Sequence, residues 1–90
     1  MYNIAYTTQF KKGYKLSLKR GCQEDLIQSV IIVLVNKRTL AAKHKPHKLS
    51  GTYKDCWECH ILPDWLLIWR ADEATNTLTL IATGTHADLF

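Results

Sequence analysis

The stretch "CHILPDWLLIWR", residues 59–70, decides the fold because it contains two strands joined by a tight turn. Every residue from 65 to 69 is apolar, without the polar alternation of a strand that has one face in water. This run predicts a central strand of a sheet that is covered on both faces. Pro63 and Asp64 form the turn that separates it from the strand before it. The interior of a β-sheet is therefore predicted in the second half of the chain.

Helices and strands flank this segment in an order typical of α+β proteins. The first predicted helix has Thr8 as its cap and ends at Gly21. The second begins at Glu24 and ends near Asn36, so a short turn joins the two helices into a hairpin. The remaining strands are predicted at Asn3–Thr7, Tyr53–Ile61 and Leu78–Thr83, in addition to Trp65–Arg70. The order β-α-α-β-β-β predicts an α-helical hairpin on a mainly antiparallel sheet, in a single domain of residues 1–90.

Charge is divided unevenly along the chain. Residues 1–54 carry a net charge of +9 and residues 55–90 a net charge of −5. A basic half is typical of a protein that binds a polyanion such as a nucleic acid. A pair of solvated, lysine-rich helices would give the same count, so the charge alone leaves both interpretations open. The segment 41–50 is predicted to be a basic loop, because Pro46 disfavours regular structure there.

The sequence Cys56-Trp57-Glu58-Cys59-His60 has the spacing of a c-type haem attachment site. On a regular strand, however, residues 56 and 59 point to opposite faces. That geometry disfavours both a shared haem and a shared metal, so we expect Cys56 and Cys59 to be reduced residues of the core. No cofactor is expected.

The chain shows no secretory or membrane-spanning pattern. Residues 1–6 have neither a basic start nor an apolar core of a signal peptide, and the longest fully apolar run, Val30–Val35, is six residues. With an odd number of cysteines as well, we expect a cytoplasmic protein without a membrane partner.

Four polar residues in loops or at strand ends are candidates for a functional site: His47, His60, Asp64 and His86. Histidines could supply the acid and the base that cleave RNA through its own 2′-hydroxyl. The same residues could instead bind zinc, with His60 and Asp64 four positions apart. They could also be unrelated surface histidines, and the residue types alone leave all three interpretations open.

Three separated motifs resemble a known family: HKLSG (residues 47–51), ECHILPDW (residues 58–65) and GTHADLF (residues 84–90). In this order they are similar to the YafQ branch of the RelE-type toxins, the toxin halves of bacterial type II toxin–antitoxin modules. The resemblance implies a RelE-like fold and a ribosome-dependent endoribonuclease that cuts mRNA in the ribosomal A site. It also implies a cognate antitoxin, a ribbon-helix-helix protein of the DinJ type, as the partner.

The resemblance implies roles for individual residues as well. His47, His60, Asp64 and His86 would form the acid–base and substrate-orienting set, and Phe90 would pack against an mRNA base. Within that set we assign the general base to His47 and the general acid to His86. The phosphate-binding residues would be Lys43, Lys45, Lys48 and Lys54, and no metal is expected.

Two positions depart from the family pattern. Trp57 and Ala82 stand where relatives commonly carry arginine, which would stabilise negative charge on the phosphate. Weakened catalysis is the expected consequence. The alternative is a non-catalytic protein of the RelE/ParE fold, such as a gyrase-directed inhibitor.

Overall fold

The computed structural model describes residues 1–90 as a five-stranded sheet with three α-helices. The helices are Thr8–Lys19 (α1), Glu24–Val35 (α2) and His86–Leu89 (α3). The strands are Asn3–Tyr6 (β1), His47–Lys48 (β2), Trp57–Leu62 (β3), Trp65–Asp72 (β4) and Thr77–Gly84 (β5). Two short 3-10 turns, Ala42–His44 and Gly51–Tyr53, flank β2.

The sheet has the strand order β1-β5-β4-β3-β2. Only β1 runs parallel to its neighbour β5, and every other pair is antiparallel. The predicted α+β fold with a helical hairpin on a mainly antiparallel sheet is therefore confirmed.

Several boundaries differ from the prediction. The third strand begins at Trp57 rather than at Tyr53, because residues 51–53 form a 3-10 turn. The predicted basic loop contains the two residues of β2, and the C-terminal helix α3 was not predicted. Thr7, not Thr8, caps α1, since its hydroxyl accepts the hydrogen bond from the Phe10 backbone N–H at 2.9 Å.

The central strand β4 is buried on both faces, as its apolar run predicted. Its Trp65, Leu67 and Trp69 side chains belong to the main core cluster, which also contains Phe10 of α1 and four residues of α2. We call this side of the sheet the helix face. Leu66 and Ile68 point to the opposite side, the distal face, and are 0% exposed. The distal face is covered near Ile68 by residues of the loop before β3 and of α3, namely Leu49, Tyr53, Cys56 and Leu89.

The two cysteines of the haem-like spacing lie on opposite faces of the sheet. Cys59 belongs to the helix-face cluster and Cys56 to the distal cluster, and both are free thiols. Burial, together with the neighbouring charge of Glu58, raises the pKa of the Cys59 thiol to about 12. A thiol of this kind does not supply the thiolate that a metal ligand requires. Elsewhere in the chain, no helix is long and apolar enough to cross a membrane.

Helix α1 packs so closely on β5 that one residue of the contact has to be glycine. A Cβ atom added to Gly13 would lie 2.1 Å from the backbone oxygen of Thr83. The hydroxyl of Thr83 donates to the backbone oxygen of Leu66 at 2.6 Å and accepts from the indole of Trp65 at 3.1 Å. The backbone at the end of β5, which leads into α3, is thus held by α1 on one side and by β4 on the other.

Replacing Gly13 by alanine should therefore destabilise the protein, although alanine is the better helix former. We expect the free energy of unfolding to fall by about 1–3 kcal/mol, because the helix has to move off the strand. Lys12→Ala, at the adjacent exposed position of α1, is the control and should change stability by less than about 0.5 kcal/mol. Denaturant unfolding measures both. A Gly13→Ala protein as stable as wild type would show that the contact is not tight.

Candidate active site

Three histidines lie in a row at the β2 and β3 side of the distal face. His47 on β2 is the register partner of Glu58 on β3, and His60 is two residues further along β3. The ring centroids of His47 and His60 are 6.4 Å apart, and those of His60 and His86 are 5.6 Å apart. The structure thus brings together residues from β2, β3 and α3 that are widely separated in sequence.

Asp64 orients the His86 ring. One carboxylate oxygen of Asp64 accepts hydrogen bonds from the His86 backbone N–H at 2.9 Å and from its ring Nδ1 at 2.7 Å. These bonds, the backbone one first, hold the pKa of Asp64 below its ordinary value. Because a carboxylate can only accept, the hydrogen of the ring is on Nδ1. The Nε2 atom of His86 is left free for a substrate.

Backbone carbonyl groups fix the other two rings in the same way. The Nδ1 of His47 donates to the backbone oxygen of Lys45 at 2.9 Å, and the Nδ1 of His60 donates to that of Pro63 at 3.2 Å. In both rings Nε2 is then the nitrogen that can accept or deliver a proton. The fourth histidine, His44, donates its Nδ1 to the backbone oxygen of His60 at 2.7 Å and so supports β3 from outside the row.

Glu58, which was not among the predicted site residues, lies between His47 and His60. Its side chain is buried, and its Oε1 atom is 3.3 Å from Nε2 of His47 and 3.8 Å from Nε2 of His60. Its Oε2 atom is buried without a hydrogen-bond partner. The alternation of a β-strand could have predicted this position, because residues 58 and 60 share one face when residues 57, 59 and 61 face the core.

The predicted stacking residue Phe90 lies at the end of α3 and is 66% exposed. Its ring meets that of Tyr53 edge-on at 5.7 Å, and its N–H donates to the backbone oxygen of His86 at 2.9 Å. The helix is held by a capping box between Thr85 and Asp88.

Arg20, at the end of α1, fastens this helix to the rest of the molecule. Its Nη1 and Nη2 atoms donate to the two carboxylate oxygens of Asp88 at 2.7 and 3.4 Å. The guanidinium, followed by the Thr85 backbone N–H, lowers the pKa of Asp88 to about 2. Arg20 is the only arginine that contacts the C-terminal segment, and its guanidinium is paired with the Asp88 carboxylate.

The four predicted phosphate-binding lysines are exposed and form no salt bridge. Lys43 and Lys45 line a cavity of about 470 Å³ beside His60. The Lys48 ammonium is 5.9 Å from the centroid of the Trp57 ring. Lys54 follows the second 3-10 turn. Of the four, only Lys43 and Lys45 are thus placed beside a histidine of the row, and the lysines do not form one compact patch.

The two departures from the arginine pattern have different surroundings. Trp57 faces the core side of β3, where its ring stacks on Trp69 with the centroids 6.4 Å apart. Ala82 lies on the distal face in the same row across the sheet as Ile68 and Glu58, and is 0% exposed. Of the two, only position 82 therefore shares a face with Glu58 and His60.

The side chains considered as zinc ligands have other partners in this structure. No group of three or more His, Cys, Asp and Glu side chains is arranged to hold a metal ion. Asp64 is turned to His86, whereas Nε2 of His60 faces Glu58.

Comparison with known proteins agrees with these motifs. The family model described as "Bacterial toxin of type II toxin-antitoxin system, YafQ" matches residues 2–90. The chain belongs to the YafQ family.

Relatives of the YafQ family resemble this chain over almost its whole length. The mRNA interferase toxin YafQ of Escherichia coli K12 is 35% identical over 89 residues, which cover 98% of this chain and 95% of the relative. A metal-bound toxin from Helicobacter pylori has a crystal structure that superposes with a TM-score of 0.94 at 38% identity, covering 100% of both chains. YafQ in the E. coli DinJ–YafQ complex superposes with a TM-score of 0.90 at 34% identity, covering 100% of this chain and 99% of that one.

Removing the anchor of α3 should loosen the end of this YafQ-family chain. In Arg20→Gln we expect the amide hydrogen of Phe90 to exchange about tenfold faster, because α3 opens more often, with little change in global stability. Lys19→Gln, which removes a neighbouring charge without a salt-bridge partner, is the control.

At low pH the Phe90 amide should exchange at the same rate in Arg20→Gln and in Lys19→Gln. The ion pair needs an ionised Asp88, so its contribution is present above the ordinary pKa of 3.8 and is lost as the pH falls toward 2. Hydrogen exchange followed by NMR between pH 2 and 6 measures both effects. Equal exchange rates in the Arg20 and Lys19 variants would show that Arg20 does not anchor α3.

Proposed function

We propose that this chain is the toxin of a type II toxin–antitoxin system and inhibits translation by cutting mRNA on the ribosome in the cytoplasm, with residues 1–90 acting as one domain. The observation that carries the proposal is His86, whose Nε2 is free while Asp64 holds its Nδ1, beside two further oriented histidines. Relatives at about one-third identity named mRNA interferase toxins support the same activity.

His47 is the general base of the proposed reaction. Its Nε2 takes the proton of the ribose 2′-hydroxyl, and the resulting alkoxide attacks the adjacent phosphorus. The imidazolium that forms then lies 3.3 Å from the Glu58 carboxylate, which stabilises its charge. The nucleophile belongs to the RNA, so no covalent enzyme intermediate is needed.

His86 is the general acid. It acts in its imidazolium form, which carries a hydrogen on each ring nitrogen, and its Nε2 delivers that proton to the 5′-oxygen as the bond between phosphorus and that oxygen breaks. Asp64 keeps the ring in place throughout by accepting from Nδ1 and from the backbone N–H. The products are a 2′,3′-cyclic phosphate and a free 5′-hydroxyl.

The substrate is positioned by charge and by stacking. The predicted lysines bind the phosphates on either side of the cut as unpaired point charges. The exposed ring of Phe90, supported by Tyr53, provides a surface on which a base of the mRNA stacks. With alanine at position 82, no arginine on β5 stabilises the phosphate, and weak cleavage is the expected consequence. A non-catalytic, gyrase-directed inhibitor is not favoured, because it would not need three histidines with oriented Nε2 atoms.

Changing either proton-transferring histidine to glutamine should slow cleavage while the ribosome is still bound. We expect His47→Gln and His86→Gln each to lower the rate of cleavage by about a hundredfold or more, because glutamine keeps the polarity but cannot transfer the proton. The double variant should lose less than the product of the two losses. Single-turnover cleavage of a defined mRNA on programmed ribosomes, with product ends identified by mass, measures the effect.

The matched control is His44→Gln, which should stay within about threefold of wild type because His44 lies outside the row and its one side-chain hydrogen bond goes to a backbone carbonyl. A wild-type rate in His86→Gln would contradict the assignment of the acid. Products that end in a 3′-hydroxyl would contradict attack by the 2′-hydroxyl.

The antitoxin is the second partner that we propose, since YafQ of E. coli forms a complex with DinJ. An apolar groove of about 600 Å³ between β1, α1 and α2 is a surface on which part of it could dock. Four of the seven exposed large apolar side chains line this groove: Met1, Ile4, Tyr6 and Ile32. Because β1 is an edge strand, its outer backbone groups are free to pair with an added strand.

The charge around the groove indicates the chemistry of the occupant. Lys11 lines it, and Lys12 and Lys15 on the same helix form no salt bridge. An acidic antitoxin segment with apolar anchors, which orders as it binds, fits this combination.

A negative charge introduced into the groove by substitution should weaken antitoxin binding. We expect Ile32→Asp to raise the dissociation constant of the DinJ-type antitoxin at least tenfold, because an apolar contact is lost and acidic groups repel. Leu16→Asp, at an exposed apolar position of α1 outside the groove, is the matched control. Calorimetry measures affinity, and stopped-flow mixing should show an association rate that falls with salt. Equal effects of the two substitutions, or a salt-independent rate, would count against this surface.

A further inference from the structure

Glu58 is the one charged residue that is almost completely buried, at 4% exposed. A buried carboxylate costs several kcal/mol unless it is paired and hydrogen-bonded. Glu58 has no lysine or arginine within salt-bridge distance, and its Oε2 atom has no partner. The only groups beside its Oε1 atom that become cationic on taking up a proton are His47 and His60.

The two contacts converge on the same oxygen. Nε2 of His47 and Nε2 of His60 approach Oε1 from the neighbouring strand and from the same strand. Both rings carry their hydrogen on Nδ1, so each neutral Nε2 presents a lone pair to an oxygen that also has only lone pairs. One added proton turns the His47 contact into a hydrogen bond at its present 3.3 Å, whereas the His60 contact, at 3.8 Å, has to shorten by a few tenths of an ångström to do the same.

We propose that Glu58 is a positioning residue that bridges His47 and His60 and passes a proton between them. This rests on the proposed ribonuclease function. The proton that His47 takes from the 2′-hydroxyl moves from Nε2 to Oε1 of Glu58, which restores neutral His47 and leaves a carboxylic acid. The acid then gives the proton to Nε2 of His60, and the carboxylate is restored. No net charge changes, and the proton ends on the ring nearest to His86, the residue that has lost one.

The surroundings isolate this bridge. Across β4 the register partner of Glu58 is Ile68, which is apolar and buried. The other titratable groups around the cluster lie on three sides: His86 with Asp64 on the α3 side, Lys48 and Cys59 on β2 and β3, and Lys43, His44 and Lys45 beside His60. None of them contacts Oε1, so the exchange of the proton is confined to His47, Glu58 and His60.

The test replaces Glu58 by glutamine, which keeps the shape but can neither balance an imidazolium nor carry the proton. We expect kcat on programmed ribosomes to fall about tenfold or more with KM within about twofold, and the melting temperature not to fall, because a buried charge is removed. Glu58→Asp should recover part of the rate. Glu73→Gln, the same change in the exposed turn between β4 and β5, is the matched control and should keep the wild-type kcat, because Glu73 bonds only Tyr2 and Lys37, which are not part of the site.

The free protein provides a readout that does not depend on the ribosome. The ring ¹⁵N resonances of both His47 and His60 should shift in Glu58→Gln and stay in place in Glu73→Gln, because only Glu58 contacts the two Nε2 atoms. An unchanged kcat in Glu58→Gln, a loss of kcat that follows a loss of stability, or unchanged ring resonances would each overturn the bridge. If wild type does not cut mRNA on ribosomes, the ribonuclease proposal fails, and the ring resonances alone decide whether Glu58 couples the two histidines.

Discussion

The burial of β4 on both faces is the constraint on which the rest of the structure depends. Leu66 and Ile68 point away from the hairpin of α1 and α2, and each contributes about 1.5–3 kcal/mol when it is removed from water. A ninety-residue chain with one helical hairpin has no second helical layer for them. The loop before β3 and the C-terminal helix cover part of this face instead, through Tyr53, Cys56 and Leu89.

This second covering is also what assembles the histidine row. The loop brings β2 with His47 beside β3, and α3 brings His86 to His60. An irregularity in the β4–β5 pairing at Ile81 helps, because it turns Ala82 to the distal face and Thr83 toward Trp65. The segments that bury the distal face of the sheet therefore also carry the residues that we propose to act on RNA.

The sequence predicted what depends on local pattern. The two-sided burial of residues 65–69, the helical hairpin and the opposite orientation of Cys56 and Cys59 all follow from the periods of helix and strand. The short strand β2 and helix α3 escaped prediction, because two and four residues are too few to show a period. Both elements are stabilised by contacts from distant residues, such as Glu58 opposite His47 and Arg20 on Asp88. The residues of the site were named from motifs, whereas their tautomers and the position of Glu58 required the fold.

Two features of the site bear on each other: a missing arginine at position 82 and a buried carboxylate at position 58. An arginine on the distal face would place a positive charge near the phosphate and would also offer Glu58 a permanent counter-charge. Alanine at position 82 removes both, and the unpaired Oε2 of Glu58 shows that no other cation replaces it there. The histidines are then the only groups that can neutralise Glu58, and they do so only when one of them holds a proton. On the proposed mechanism, the site therefore stabilises the positive charge of the proton that moves from His47 through Glu58 to His60 better than it stabilises the negative charge of the phosphate. The rate of mRNA cleavage should then depend on how efficiently these three residues transfer that proton.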